Sequence, residues 1–322
     1  MDRRPRAPAQ LLALVASLLI SMVAHSLDLQ GHRGARGLLP ENTLPAFTRA
    51  LELGVTTLEL DCGVTRDGIV VISHDPALNP DITRDGEGRW LEGAGPAIHH
   101  LTYSELQSYD VGRIKPGSAY AQRFAQQQPV DGTRIPRLTD LFALVQKAGN
   151  ERVRFNIETK LSPLKPDETL APEIFARALL EVIRAAGMEG RVTIQSFDWR
   201  TLQVVQKEAP RVPTVYLSAQ GTAPNTIPAG SVASPWTAGF APGRYGGSIP
   251  RTVKAAGGAV WSPYHGNLTA ETLREAQTLG LKVVVWTVNS ATDMRRLIDW
   301  GVDGIISDYP DVLRKVADAA RR

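Results

Sequence analysis

Two kinds of apolar spacing alternate along this chain. Near-continuous runs of Val, Ile and Leu predict eight strands, at 29–32, 56–63, 152–158, 191–197, 214–218, 259–265, 282–289 and 303–308. Between most of them apolar residues recur with the 3.6-residue period of a helix, as in TLPAFTRALELG, PEIFARALLEVIRAAG, WRTLQVVQKEA, TAETLREAQTLG and ATDMRRLIDWG. Several of these stretches close on Gly, a common helix stop. Strands without clean polar alternation are those covered on both faces, as in a parallel sheet. Strands and helices in strict alternation with short connections predict βα units, and eight such units predict a closed α/β barrel of the (β/α)8 TIM type.

Three segments depart from that rhythm. The tripeptide RDG at 66–68 joins two apolar runs as a tight turn, so IVVISHD at 69–75 is predicted to return antiparallel beside the second strand and to bring His74 to the same end. From 76 to 136 the chain is polar and rich in Gly and Pro, with one short helical pattern at LTYSELQSY. So long a segment is predicted to be an insertion after the early strands that forms a lid or recognises substrate. A second irregular stretch, 219–250, is rich in Ala, Gly and Pro.

The N-terminus has the form of a signal peptide over 1–26. MDRRPRAPAQ is basic, LLALVASLLISMVA at 11–24 is apolar, and small residues follow. The apolar core is shorter than the ~18 residues of a spanning helix. The reading is export across the inner membrane to the periplasm or beyond, with no stable membrane span once the leader is cleaved. An uncleaved anchor is the alternative. The mature domain is then 27–322.

Composition adds few constraints. The 322 residues are 43% hydrophobic and 21% charged, an ordinary globular balance. The formal net charge of +3 owes much to MDRRPR and the terminal RR, and no basic stripe with interleaved aromatics or zinc-finger spacing is present. A nucleic-acid partner is therefore not expected. Cys62 is the single cysteine, so no intrachain disulfide can form. Flanked by Asp61 and Gly63, it faces away from the neighbouring carboxylates and is read as packing. Nothing in the sequence fixes an oligomeric state.

The candidate chemistry lies at strand ends. Residues i and i+2 of a strand share a face, so Glu59 with Asp61, and Glu158 with Lys160, each offer two side chains to one point. His74 and Asp75 close IVVISHD, and His32 with Arg33 follows the first strand. Charged residues also mark where a buried strand reaches water, and that reading suits any one of them singly. Carboxylates without thiolates suit a hard divalent cation, Mg²⁺ or Ca²⁺. Glu41 is either a charge at a helix N-terminus or a group near such a cation. Trp286 at a strand's C-terminal end is either core or a wall against substrate. His25, His99, His100 and His265 have no matching partners and are read as structural or surface residues.

HRG at 32–34, PENT at 40–43, ELD at 59–61, SHD at 73–75, IETK at 157–160, QSF at 195–197, WTVN at 286–289 and GVDGIISDYP at 301–310 occur in order over nearly the whole mature chain. In that series the chain resembles the glycerophosphodiester phosphodiesterase family. The resemblance implies a TIM barrel with an insertion after the early strands, and hydrolysis of a small glycerophosphodiester to sn-glycerol 3-phosphate and an alcohol. It also implies that Glu59, Asp61 and Glu158 hold the cation, that His32 and His74 divide the acid and base work, and that Arg33 and Lys160 meet the phosphate. Which histidine is acid, and whether the glycerol 2-hydroxyl or water attacks first, stay open. Cys62, Gly63 and Thr159 depart from the family's usual residues without touching a proposed catalytic atom. Two other readings stand beside it: a phospholipase D- or C-like enzyme for lysolipids or phosphoinositides, and an exported protein that binds phosphate esters without cleaving them.

Overall fold

The computed structural model describes residues 27–322 except 222, 223, 229, 231 and 232, so the expected leader lies outside the described residues. Nine strands form one sheet: β1 (Asp28–Gly31), β2 (Thr57–Val64), β3 (Val70–Ile72), β4 (Arg154–Thr159), β5 (Val192–Ser196), β6 (Thr214–Ser218), β7 (Val260–Pro263), β8 (Lys282–Val285) and β9 (Gly304–Ser307). Eight of them run parallel in the order β1-β9-β8-β7-β6-β5-β4-β2, and the pairing of β1 with β2 closes the barrel. β3 is the ninth. It lies antiparallel on the outer part of β2, with Cys62 opposite Ile72, as the tight turn at 66–68 predicts.

Alternate positions along each strand face opposite ways. Leu58, Leu60 and Cys62 of β2, Phe155 and Ile157 of β4, Ile194, Tyr216, Trp261, Val283, Val285 and Ile305 belong to the large core between barrel and helices. The intervening residues face the barrel axis, and there the two halves of the barrel differ. On β6 to β9 they are Val215, Val260, Val284 and Ile306, a separate apolar cluster with Trp286 packed against it. On β1, β2, β4 and β5 they are Gln30, Thr57, Glu59, Asp61, Asn156, Glu158, Thr193 and Gln195. The near-continuous apolar pattern thus holds for β6 to β9, whereas β2 and β4 carry polar groups on their inner faces.

The helices expected from 3.6-residue spacing are present at Leu44–Glu52, Pro172–Ala185, Trp199–Glu208, Ala270–Thr278 and Ala291–Trp300. The first begins where the Thr43 hydroxyl accepts the Ala46 N–H, and it buries Ala46, Phe47 and Ala50 against the barrel. Leu138–Lys147, Ile249–Ala255 and Pro310–Ala320 add to the helical layer beyond those the periodicity predicts. β8 stops at Val285, earlier than the predicted 289. Trp286 keeps only a single bridge to Tyr264 and turns its indole N–H to the Ser262 carbonyl at 2.9 Å.

The polar segment 76–136 is folded. Leu78, Ile98, Leu106, Val111 and Ile135 pack with Val71 of β3 into a small core of their own. Arg84 and Asp110 exchange backbone hydrogen bonds, and the Arg84 guanidinium also donates to Asp110 and Asp131. Thr102 and Glu105 form a reciprocal cap on the helix Tyr103–Leu106. The insert is therefore pinned to β3, and through β3 to β2.

Phe155, fully buried and edge-to-face with Phe142 at 5.0 Å between ring centres, lies in the core away from the barrel axis. Phe155→Ala is expected to lower unfolding free energy by about 3–5 kcal/mol. Urea denaturation followed by circular dichroism would show this, and a midpoint unchanged from the unsubstituted protein would contradict the packing.

Candidate active site

The register between β2 and β4 places Asp61 directly beside Glu158, and Glu59 lies two residues back on the same face. One carboxylate oxygen from each of the three falls within 4.8 Å of the others. All three side chains are buried, Glu59 and Asp61 at 1% exposure. Asp61 Oδ1 is a buried oxygen with no hydrogen-bond donor. Oxygen-only donors, close spacing and an undonated carboxylate oxygen fit a hard divalent cation.

Positive groups surround the cluster. Lys160 Nζ donates to Glu158 Oε1 at 2.8 Å and stands 3.8 Å from Asp61 Oδ1. Arg33 Nε lies 3.1 Å from Asp61 Oδ2 but off the hydrogen-bond direction, so this contact is Coulombic. The Arg33 backbone N–H donates to Glu59 Oε2 at 2.9 Å. That bond requires Arg33 to adopt φ +51°, a left-handed conformation costly for a residue with a side chain. Gly34 follows at φ +85°, where a Cβ would come within 2.7 Å of the Ala46 backbone. Glycine is therefore required to bring this turn against the first helix.

Charge sharing sets the protonation states. Burial, reinforced by the adjacent Asp61, pushes Glu59 well above the usual carboxylate range. Burial also raises Glu158 to about 7, with Asp61 adding to it and Lys160 opposing it. Burial acts on Asp61 too, but Arg33 foremost, then His74 and Lys160, hold it below its usual range. Without a cation the cluster carries less than three negative charges.

Each histidine is oriented by a carboxylate. His32 Nδ1 lies 2.6 Å from Asp308 Oδ1 and His74 Nδ1 lies 2.8 Å from Asp75 Oδ1. An ionised carboxylate only accepts, so Nδ1–H donates in both and Nε2 faces the site with its lone pair. Burial and the nearby Arg36 hold His32 down at about 4, despite Asp308. Burial, then Arg33 and Lys160, lower His74 as well. Asp308 also receives a two-pronged bond from Arg36, at 2.7 and 3.0 Å, and the Asn289 amide at 2.7 Å.

Both histidines, Arg33, Glu59, Glu158 and Lys160 line a cavity of about 490 Å³, together with Trp286, Phe197, Trp236 and Leu217. Phe197 meets Trp286 and Trp236 edge-on, with ring centres 5.3 and 6.4 Å apart. The insert contributes Tyr120, whose hydroxyl donates to Glu41, while Glu41 accepts Arg33 Nη1 at 2.6 Å. Glu41 therefore holds Arg33 in place, and Thr43 caps the helix.

The structure brings His32, Arg33, Glu59, His74, Glu158, Lys160 and Trp286 to one cavity, with Asp61 beneath it. His99 packs at a tilt against His100 and His265 meets Tyr264 edge-on, and none of the three histidines lines this cavity. His25 lies outside the described residues. Asp308, Arg36, Tyr120 and Gln195 are functional neighbours that the strand-end reading passed over. Asp308 immediately follows β9, so the rule that singled out Glu59 and Glu158 would also have found it.

The sequence model of the glycerophosphoryl diester phosphodiesterase family matches residues 32–312. The glycerophosphodiester phosphodiesterase of Caldanaerobacter subterraneus subsp. tengcongensis is 32% identical over 282 residues, covering 88% of this chain and 94% of that protein. That of Bacillus subtilis is 31% identical over 288 residues, covering 88% of this chain and 84% of its own length. A solved structure from Silicibacter pomeroyi superposes with a TM-score of 0.81 at 36% identity, covering 91% of this chain and 94% of that one. A phosphodiesterase from Oleispira antarctica, solved with its product sn-glycerol-3-phosphate, has a TM-score of 0.65 at 22% identity, covering 90% and 96%.

Two outcomes follow from the orientation of His32. Asp308→Asn is expected to reduce kcat by about 10²-fold or more, since acid–base groups contribute roughly that much and the mutant amide can present a donor to Nδ1. A steady-state kcat within twofold of the unsubstituted enzyme, roughly 0.4 kcal/mol, would contradict that role. Because folding lowers His32 from 6.5 to about 4, its neutral form favours the folded state. Its stabilising effect is complete above pH 6.5 and is lost as pH falls toward 4. In the metal-free protein His32→Gln should flatten the loss of stability across that window, as measured by urea melts at successive pH values.

Proposed function

Because the chain belongs to the glycerophosphoryl diester phosphodiesterase family, and is therefore an enzyme that hydrolyses glycerophosphodiesters, we propose that it yields sn-glycerol 3-phosphate with His32 and His74 as the acid–base pair. The observation that carries this reading is the Asp61–Glu158 register, which sets three carboxylates beneath a cavity that both imidazoles also line.

Glu59, Asp61 and Glu158 would hold Mg²⁺ or Ca²⁺, which when bound polarises a phosphoryl oxygen and lowers the pKa of an attacking hydroxyl. The residues of the chain supply the rest. Arg33 and Lys160 attract the diester's negative charge to the cluster, Arg33 through a planar guanidinium braced by Glu41. One imidazole takes the nucleophile's proton at Nε2, and the other, protonated at Nε2, gives a proton to the departing alkoxide. Asp308 and Asp75 accept from Nδ1 of each ring, so Nε2 is the proton-exchanging atom in both, and each carboxylate also favours the doubly protonated ring that the acid requires. Phe197, Trp236 and Trp286 offer ring faces and edges to the carbon skeleton of glycerol or the alcohol. We assign the first attack to the glycerol 2-hydroxyl, which expels the alcohol and gives a 2,3-cyclic phosphate. Water then attacks phosphorus, the bond to the glycerol 2-oxygen breaks, that oxygen takes up a proton, and sn-glycerol 3-phosphate results. A diester lacking that hydroxyl but cleaved at full rate would overturn this step.

Residues 1–26 give the localisation we propose, secretion across the inner membrane, tested by N-terminal sequencing of the protein recovered from periplasm and medium. Among the described residues no helix is long and apolar enough to cross a membrane.

The decisive assay is release of sn-glycerol 3-phosphate from glycerophosphocholine with Mg²⁺, with Ca²⁺ and after EDTA. Release is expected to need a cation, to fall at least about 10²-fold in His32→Ala and in His74→Ala, and to leave cation binding in both. Unchanged turnover in both variants would remove the histidines from the mechanism. No release with either cation would direct the assay to intact lysophospholipids.

A further inference from the structure

On the side formed by β1, β2, β4 and β5, beneath the carboxylates, the barrel axis is not lined with Val, Ile and Leu as such barrels ordinarily are. Instead a single file of buried amides crosses it. Gln195 Nε2 donates to Glu59 Oε1 at 2.6 Å. Gln195 Oε1 accepts from Asn156 Nδ2 at 2.9 Å, and the same Asn156 amide donates to Gln30 Oε1 at 3.0 Å. Gln30 Nε2 donates to Asp28 Oδ2 at 3.0 Å, while Thr193 donates to Asn156 Oδ1 at 2.9 Å. Gln30, Asn156 and Gln195 are between 1% and 4% exposed.

The file has a direction, and Asp28 sets it. The other Asp28 oxygen, Oδ1, takes Thr56 Oγ1 at 2.5 Å, Thr57 Oγ1 at 2.7 Å and Arg154 at 2.9 Å, which identifies the group as a carboxylate acceptor. Gln30 must then turn its amide nitrogen to Oδ2 and its oxygen to Asn156. Asn156 must donate with both hydrogens, since Thr193 occupies its oxygen. Gln195 must turn its oxygen to Asn156 and its nitrogen to Glu59. Every amide orientation is fixed by the next, and the last link can only donate.

We propose that Gln195 is a positioning residue for the metal-ligating Glu59, and that Asn156, Gln30 and Asp28 fix the direction in which it acts. With Gln195 on Oε1 and the Arg33 N–H on Oε2, each Glu59 oxygen has one donor and keeps a lone pair for a cation. The proposal rests on the reading of Glu59 as a metal ligand and extends it to Gln195, at the cavity wall, and to Asn156, Gln30 and Asp28, which do not line the cavity. Groups of this kind typically change metal affinity about 10- to 100-fold.

The test is calorimetric titration of metal-free protein with Ca²⁺ and with Mg²⁺, with thermal unfolding of each metal-free variant alongside. Gln195→Met, which keeps length but removes the donor, and Asn156→Leu, one link further away, are each expected to weaken cation binding about 10- to 100-fold while remaining folded. The double exchange Asp28→Asn with Gln30→Glu reverses the bond between positions 28 and 30 but leaves position 30 accepting from Asn156, so the direction from Asn156 to Glu59 is kept. The amide introduced at position 28 would accept with its oxygen and donate with its nitrogen to the carboxylate introduced at position 30, and that carboxylate would still accept from Asn156. The exchange should return affinity close to that of the unaltered protein. A folded Asn156→Leu or Gln195→Met with unchanged affinity overturns the proposal, even if its melting temperature falls, because a merely structural role would lower stability alone. Should Asn156→Leu fail to fold, Gln195→Met and the double exchange decide between the same outcomes. If the unaltered protein binds neither cation, the metal reading itself fails, a result distinct from unequal binding among variants.

Discussion

Three carboxylates buried side by side cannot persist without compensation, because both desolvation and mutual repulsion oppose their charge. The site is organised by that constraint. Arg33 takes a left-handed backbone conformation to give one of them an N–H, and its side chain lies against a second. Lys160, two residues further along the chain and just past the end of β4, donates to the third. Glu41 and the insert's Tyr120 then hold Arg33, so the compensation extends from the barrel into the loops above it.

The same constraint divides the barrel. Strands β1, β2, β4 and β5 carry hydrogen-bonding groups inward, whereas β6 to β9 carry Val215, Val260, Val284 and Ile306. The two halves offer different surfaces to one cavity, one suited to phosphate and hydroxyls and the other to carbon. Trp286 packs on the apolar side, Phe197 just past the end of β5 meets it edge-on, and Lys160 sits 5.7 Å from the Phe197 ring centre, where the two halves meet.

Much of this was legible in one sequence, because strand period and strand ends are local properties. Glu59 with Asp61 and Glu158 with Lys160 obey an i, i+2 rule that needs no tertiary information, and the RDG turn located His74. The parallel register that pairs Asp61 with Glu158 follows once the barrel is assumed. What the sequence hid depends on distant partners. Asn156 and Gln195 read as breaks in apolar strands, since an amide shows its role only through the neighbour it donates to. Tyr120 lies in a segment without periodicity and reaches Glu41 across 79 positions. The insert's few apolar residues are too widely spaced to announce a core, yet they make one with β3.

Asp308 orients His32 from 276 residues further along the chain. At roughly 5–20 residues per second, ~14 to 55 s of synthesis separate the two. Late in that interval the growing polypeptide holds the imidazole, all three carboxylates and the arginines, but still lacks both the strand that shuts the ring and the acceptor that orients the imidazole. Ring closure and the orientation of His32 therefore depend on the same last segment, because β9 lies between β1 and β8 and Asp308 follows it directly. A fragment cut short before that point would contain nearly every proposed catalytic group and still lack the carboxylate that orients His32 and the strand that closes the ring.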